Sequence, residues 1–497
     1  MKICIAYPPL ESGKGVPLLS QNRQFQYFRE PTYIYPVVPA QAATMLKRAG
    51  HEVVWMDGIA ENLSYDTFLG RIKQAKPDLV AFETKTPVVK QHWKIIDDLK
   101  KLVSADGHLK TVLFGDHVTA LPVESFENSS VDFVLTGGDY DFLLLNLCNV
   151  LDKLSVAHLA PAAGELEPGI WYRDNSSIRH TGPFKLDHDL NNAPFIDRDL
   201  SHWKLYATKN GNFNKTPGTY IMAGRDCWWG KCKFCSWPTL YPEFRVRRPD
   251  HVLDEIELLV QKYHVKEIMD DTGTFPVGTW LQDFCDGMID RGLSKKVVLD
   301  CNMRFGVLKK DEYLLMKKAG FRLVLFGLES ANQKTLDKID KNLKASDIIE
   351  SCRSAREAGL YPHITIMFGY PWETYGDALK TLELGRWLLK KGYAYTVQAT
   401  IVIPYPGSTL FAECQKGDLL KTLHWPNYDM KRPVMKSSIT NEQMSDLVRS
   451  VYKVVFHPEF TFRRLASLKS FSDLAYFGRA IKKVLGHIFD YRYKHES

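Results

Sequence analysis

The sequence predicts an α/β protein in two successive blocks: a parallel sheet flanked by helices, then a partial barrel of strand–helix units, with helices at the carboxyl end. Three observations predict it. Residues 1–150 alternate five short apolar runs with amphipathic stretches. The alternation pauses over 151–215, then resumes with six further repeats over 216–415. The chain has 497 residues, of which 45% are hydrophobic and 25% charged, so a large core is available without disulfides.

In the first block the runs are KICIAYPP, EVVWMDG, DLVAFET, KTVLFGD and DFVLTGG. Stretches such as PAQAATMLKRAG and YDTFLGRIKQAK separate them, and Gly50 is a natural helix stop. This is the pattern of a Rossmann-like (flavodoxin-like) sheet. Each run ends in small, polar or proline residues, among them Thr84, Gly115, Asp116, His117, Thr136 and Gly137. Ligands of open parallel sheets bind at such carboxyl ends, although turn chemistry alone places the same residue types there. MKICIAYPPL has too short an apolar run for a signal peptide and reads as a first strand.

Residues 151–215 contain Pro161, Pro168, Pro183 and Pro194 and read as an irregular linker. From 216 to 415 the runs are GTYIMAG, VKEIMDD, KVVLDCN, RLVLFGLES, HITIMFGYP and TVQATIVIPYP. Six strand–helix repeats fit a partial (β/α)6 TIM-type barrel, in which chemistry sits at the carboxyl ends of the strands. Residues 416–497 read as a helical region ending in a basic amphipathic tail.

The net charge of +7 is too mild to indicate nucleic acid. Nine cysteines at irregular spacing in a long chain do not form a disulfide framework. No apolar run is long enough to cross a bilayer. A reducing cytoplasm is the expected setting.

Three of the nine cysteines fall together in RDCWWGKCKFCSWP: Cys227, Cys232 and Cys235, just after the first strand of the second block. Thiolates at gaps of four and two can fold around one centre. Three ligands leave a position open, as in a catalytic zinc site or an iron–sulfur cluster with one free iron. A closed structural zinc site would need a distant fourth ligand such as Cys301.

The trio and its context resemble the radical S-adenosylmethionine (radical SAM) superfamily. CKFC, with Phe234 before the last cysteine, matches the family motif; the first gap of four is one longer than usual. LFGLES at 325–330 resembles the family's fourth-strand segment, with Glu329 and Ser330 beside the cofactor. IMFGYPWET at 366–374, carrying Gly369, and VIPYPGSTLF at 402–411, carrying Pro404, resemble the fifth and sixth. LDCNMRFG at 299–306 resembles the third and carries Arg304. MDDTGTF departs from the usual second-strand segment, leaving Asp270 and Asp271 in its place. The resemblance implies a 4Fe–4S cluster on the three cysteines and S-adenosylmethionine on the free iron. It also implies a 5′-deoxyadenosyl radical and an electron donor such as flavodoxin or ferredoxin.

A parallel-sheet domain ahead of such a barrel resembles the cobalamin-binding subgroup, with FGDHVTALPVESFENSSVDFVLTGGDYD at 114–141 as the nearest match. That resemblance implies cobalamin between the two blocks and methylation of an unactivated carbon. Ring rearrangement, oxidation or carbon–carbon chemistry on a lipid-like, hopanoid-type substrate are the alternatives. The chain lacks D-x-H-x-x-G, and His117 is its closest analogue. A zinc-stabilised binding protein on the same frame is the rival class.

Residues 461–497 carry eight basic and three acidic side chains. Phe462, Leu465, Leu468, Phe471, Leu474, Phe477, Ile481, Leu485 and Ile488 recur mostly every three or four residues. Two readings stand: a helix docked on the barrel with a solvated basic face, or peripheral contact with an anionic membrane.

Overall fold

The computed structural model describes all residues except 12, 19–24, 104–107, 158–163, 175–176, 209, 211–212, 467–470 and 492–497. Five parallel strands, Lys2–Tyr7, Glu52–Asp57, Leu79–Glu83, Lys110–Phe114 and Phe133–Leu135, form the first sheet. Numbered along the chain, they lie side by side as 2-1-3-4-5. Leu79–Glu83 is buried along its whole length, as a sheet covered on both faces requires.

The sheet is larger than the sequence indicates. Part of the stretch read as linker, Ile170–Asp174 and Ser177–His180, forms an antiparallel hairpin on the outer edge of Phe133–Leu135. Thr136 fixes the join, its hydroxyl donating to the Gly169 carbonyl at 2.8 Å. The hairpin escapes a search for apolar runs because it buries little besides Ile170.

The second sheet contains six parallel strands in chain order: Gly218–Ile221, Glu267–Asp270, Val298–Met303, Phe321–Glu329, Tyr361–Phe368 and Thr396–Ile401. The last does not pair with the first among the described residues, so the sheet is a half-barrel. Helices Pro249–Tyr263, Thr279–Asp290, Lys310–Lys318, Ala345–Glu357 and Tyr375–Lys391 pack outside it. The last of these starts on a capping box between Thr374 and Asp377 and stops at Gly392, φ 75°. The two open edges are satisfied by side chains. Arg198 donates to the Tyr220 carbonyl on the first strand at 3.0 Å. On the sixth strand the Tyr452 hydroxyl accepts from the Ala399 amide at 3.0 Å.

A buried ion-pair group joins the sheets. The Arg225 guanidinium, in the loop after the first barrel strand, donates to Asp139 at 2.9 Å and to both Asp141 oxygens at 2.9 and 2.6 Å. Arg245 reaches Asp139 at 2.6 Å, and His188 bridges Asp139 and Glu167 at 3.2 and 3.0 Å.

Arg225→Ala leaves two buried carboxylates short of a cation, and an unfolding free energy lower by about 3–5 kcal/mol is expected in urea titration. Burial works against the charged His188 ring, but its bonds to Asp139 and Glu167 outweigh burial and raise its pKa from 6.5 to about 9. The folded-state pKa is the higher one. This stabilisation is therefore complete below pH 6.5 and lost as pH rises through 9. The melting temperature should fall over that window, and less steeply in His188→Gln.

Candidate functional site

The loop carrying the three cysteines is held at both ends and in the middle. At its start, Ala223 and Gly224 amides donate to Asp270 and Thr272 after the second strand, at 2.8 and 2.9 Å. Arg225 then fastens it to the first domain. In its middle, the Lys233 amide bonds the Ile339 carbonyl at 3.0 Å, and the Lys233 carbonyl accepts from Leu410 at 2.8 Å. The long first gap turns at Gly230, φ 62°, a conformation glycine enters without a Cβ penalty. The gap's extra length is thereby taken up as a turn.

Cys227, Cys232 and Cys235 are half-buried, whereas the other six cysteines are buried. All three line one cavity of ≈ 230 Å³ at the carboxyl end of the half-barrel. Each of the six strands contributes to its wall or rim: Tyr220, Met269, Asn302, Glu329, Met367 and Gln398 are examples. Asp300 and Asn302 line the lumen. Cys301, between them, faces the helices by strand alternation and is not available as a fourth ligand. Among the described residues no three His, Cys, Asp or Glu side chains converge into a ready cage for a single metal ion. A cluster takes one thiolate at each of three irons and does not require that convergence.

Of the residues singled out from sequence, Phe234, Asp271, Arg304 and Glu329 share this cavity with the thiols. Asp270, Ser330, Gly369 and Pro404 do not line it. Asp270 spends its carboxylate on the Ala223 and Thr272 amides, and burial pushes its pKa up to about 6. Ser330 is fully buried and donates to Glu373 at 2.7 Å. Gly369, φ 101°, turns the chain where a Cβ would meet Met444 at 2.9 Å. Pro404 sits between two lining residues, Ile403 and Tyr405.

The polar wall depends on a residue that no motif marks. Lys341 is buried, and its ammonium donates to Glu329 at 2.7 Å and sits 5.7 Å from the centre of the Phe234 ring. Burial disfavours the Lys341 charge, but Glu329 and Cys232 outweigh it and raise its pKa. Arg304 donates to the Lys341 carbonyl and comes within 4.0 Å of the Cys232 sulfur. Its guanidinium lies 4.7 Å from the Trp229 ring and 5.6 Å from the Trp228 ring. Burial pushes the Cys232 thiol pKa up, while Lys341 and Arg304 pull it down. Glu329 itself adopts φ 61°, a conformation that side chains resist and that functional positions often carry. Trp237 stands apart, stacked on Tyr241 with the Lys85 ammonium 5.7 Å from its ring.

The carboxyl ends of the first sheet meet this same segment. Leu240 accepts from the Gly138 amide at 2.9 Å, and the Tyr241 hydroxyl donates to the Gly138 carbonyl at 3.0 Å. A Cβ on Gly137 would meet Phe184 at 2.5 Å, and one on Gly115 would meet the Thr84 carbonyl at 2.3 Å. Thr84 bonds His92 at 2.7 Å, and Asp116 lies 3.9 Å from Lys85. His117 is fully buried, with Thr86 at 3.2 Å on one ring nitrogen and Glu124 at 3.0 Å on the other.

Thiols, half-barrel and strand order together point to one class of protein, and residues 221–385 match the Radical SAM superfamily. The chain is 27% identical over 459 residues to an uncharacterized methyltransferase of Pyrococcus horikoshii, spanning 91% of this chain and 92% of that one. It is also 27% identical to the anaerobic magnesium-protoporphyrin IX monomethyl ester cyclase of Cereibacter sphaeroides, over 88% of this chain and 71% of that one. The fold is shared with the radical S-adenosylmethionine methyltransferase TsrM of Kitasatospora setae, solved with cobalamin and a [4Fe-4S] cluster. The TM-score is 0.69 at 14% identity, covering 98% of this chain and 99% of that one.

Lys341→Met strands the buried Glu329 carboxylate, so a loss of about 3–5 kcal/mol is expected in chemical denaturation. The double variant Glu329→Gln/Lys341→Met should recover part of it, a coupling readable as a double-mutant cycle.

Proposed function

We propose that this chain is a radical S-adenosylmethionine methyltransferase acting on an unactivated carbon. One observation carries the reading. Three half-buried thiols, set apart from six buried ones, open on a single cavity whose wall is drawn from all six strands. Cys227, Cys232 and Cys235 suit a 4Fe–4S cluster, because they present sulfur to a shared space beside two cations. When bound, such a cluster supplies the electron that cleaves the S-adenosylmethionine sulfonium and starts hydrogen abstraction.

The chain's own residues do the rest. Arg304 and Lys341 lower the cost of thiolate charge at Cys232. Trp228 and Trp229 cover Arg304 and keep water from it. Glu329 and Asp271 give the cavity acidic acceptors suited to the amino group and hydroxyls of S-adenosylmethionine, and Arg304 gives a cation suited to its carboxylate. Met269, Met303, Met367, Leu325 and Val402 make the remaining wall apolar, which protects a reactive centre from solvent. An electron donor of the flavodoxin or ferredoxin type is part of this reading.

Cobalamin is bound by the structural relative TsrM. Cobalamin is part of this reading too, with Thr84, Gly115, Asp116, His117, Thr136 and Gly137, at the carboxyl ends of the first sheet, as the residues that would face it. His117 has both ring nitrogens bonded within the protein, to Thr86 and Glu124. When bound, cobalamin would supply the methyl group that is transferred to the carbon.

Anaerobic purification should give a brown protein with about four irons per chain that forms 5′-deoxyadenosine from S-adenosylmethionine after reduction. Changing Cys227, Cys232 and Cys235 together to Ala should remove iron and cleavage while keeping the circular dichroism of the fold. A colourless protein holding one zinc and forming no 5′-deoxyadenosine would refute the reading.

A further inference from the structure

The half-barrel is hollow below the site as well as at it. A second cavity, of ≈ 170 Å³, lies at the amino-terminal ends of the fourth, fifth and sixth strands. It shares Ile34, Met269, Leu325 and Gln398 with the cavity at the thiols, so the two share walls inside the lumen. Along the fourth strand the lining residues are Leu323, Leu325, Gly327 and Glu329. Six residue steps of extended chain make the two cavities together about 20 Å long. At the base Arg322 holds Asp300 at 2.6 Å and Glu267 at 2.7 Å, and Lys483 adds a further cation to the lining.

The base is floored by the C-terminal helix Phe471–Asp490, whose inner face presents Ala480, Lys483, Val484 and His487 to the cavity. The outer face is apolar and exposed, with the Arg29 guanidinium 5.5 Å from the Phe489 ring. Leu474, Ile481, Leu485 and Phe489 form one stripe, each 40–53% exposed. The preceding helix, Pro458–Ala466, adds Phe462 and Leu465, at 74% and 51%. Lys453, Arg463, Arg479 and Lys482 are exposed on or next to the same two helices, Lys482 pairing with Glu30 at 2.8 Å and Arg463 with Glu459 at 3.4 Å. Of the stripe expected from sequence, Ile488 turns inward against the core, Phe477 is half-buried, and Leu468 and the Phe471 side chain lie outside the described residues. The helix thus docks on the barrel and still shows solvent an apolar face edged with cations.

We propose that this face lies on an anionic membrane and that the passage behind it admits the apolar chain of a membrane lipid, from the base of the barrel up to the thiols. The proposal rests on the reaction assigned above and narrows its substrate to a long-chain amphiphile. Charge and continuity commit it to a bilayer. Apolar side chains enter the acyl boundary while the surrounding cations meet anionic head groups. The same helix supplies the wall of the passage, so a chain leaving the bilayer crosses one helix thickness to reach the lumen. Lys483 places a cation at that mouth, suited to a head group that stays outside while its chain enters.

The test uses the reconstituted holoprotein and vesicles of phosphatidylcholine alone or mixed with phosphatidylglycerol. Flotation with the mixed vesicles is expected, about tenfold reduced in Ile481→Asp/Leu485→Asp, a variant that still forms 5′-deoxyadenosine without substrate. Equal binding to neutral vesicles, or a wild type that forms 5′-deoxyadenosine yet floats with neither, overturns the membrane assignment. A wild type that forms no 5′-deoxyadenosine defeats the radical SAM reading instead. For the passage, the probe is lysophosphatidylglycerol with a hexadecyl chain. Val397→Trp, or the milder Val397→Phe if the first melts early, should weaken its binding about tenfold, with head-group binding to vesicles unchanged. Unaltered lysolipid affinity in a folded variant overturns the passage.

Discussion

The architecture turns on one guanidinium. Arg225 belongs to the loop that carries the thiols, yet its partners, Asp139 and Asp141, belong to the first domain, where its last parallel strand turns into the following helix. It is buried, and so are both acids. A charge in that position is tolerable only while its counter-charges are in place. The loop after the first barrel strand therefore cannot settle until the last parallel strand of the first sheet has presented its aspartates. Domain docking and site formation become one event. Arg245 and His188 extend the same group outward, so the seam is braced by several contacts.

The sequence was most legible where backbone periodicity and burial agree. All eleven parallel strands follow apolar runs readable by eye, because strands buried on both faces leave little room for polar residues. The hairpin Ile170–His180 was not, since an edge element with one covered face carries too few apolar residues to stand out. Within the site, the cysteines, Arg304 and Glu329 were legible through a spaced motif. Lys341 was not: it is one lysine in a run of ordinary surface composition, and only the fold brings it beneath Glu329. Asp270 and Ser330 show the converse. Each stands next to a residue that lines the cavity, Asp271 and Glu329, but its polar atoms serve the neighbouring loops.

The indoles illustrate how one short segment divides its labour. Trp228 and Trp229 sit within cation–π reach of Arg304, and Trp229 also donates to the Asp340 carbonyl at 2.8 Å. They fix a cation beside a sulfur. Trp237, beyond the last cysteine, instead packs on Tyr241 below Lys85 and belongs to the seam. The thiol loop thus faces the other domain at both its ends, through Arg225 before the thiols and Trp237 and Tyr241 after them, and the chemistry in between.

The half-barrel's unclosed edges have a consequence for how such chains diversify. In a closed barrel, strand number and stagger fix the bore, and no strand can shift alone. Here the bounding strands are finished by an arginine from one side and a tyrosine from the other. The bore is thus set by removable covers, not by the sheet. A lineage can widen, narrow or reshape the chamber by exchanging the helices that close it, while the four inner strands and the loop bearing the thiols stay as they are.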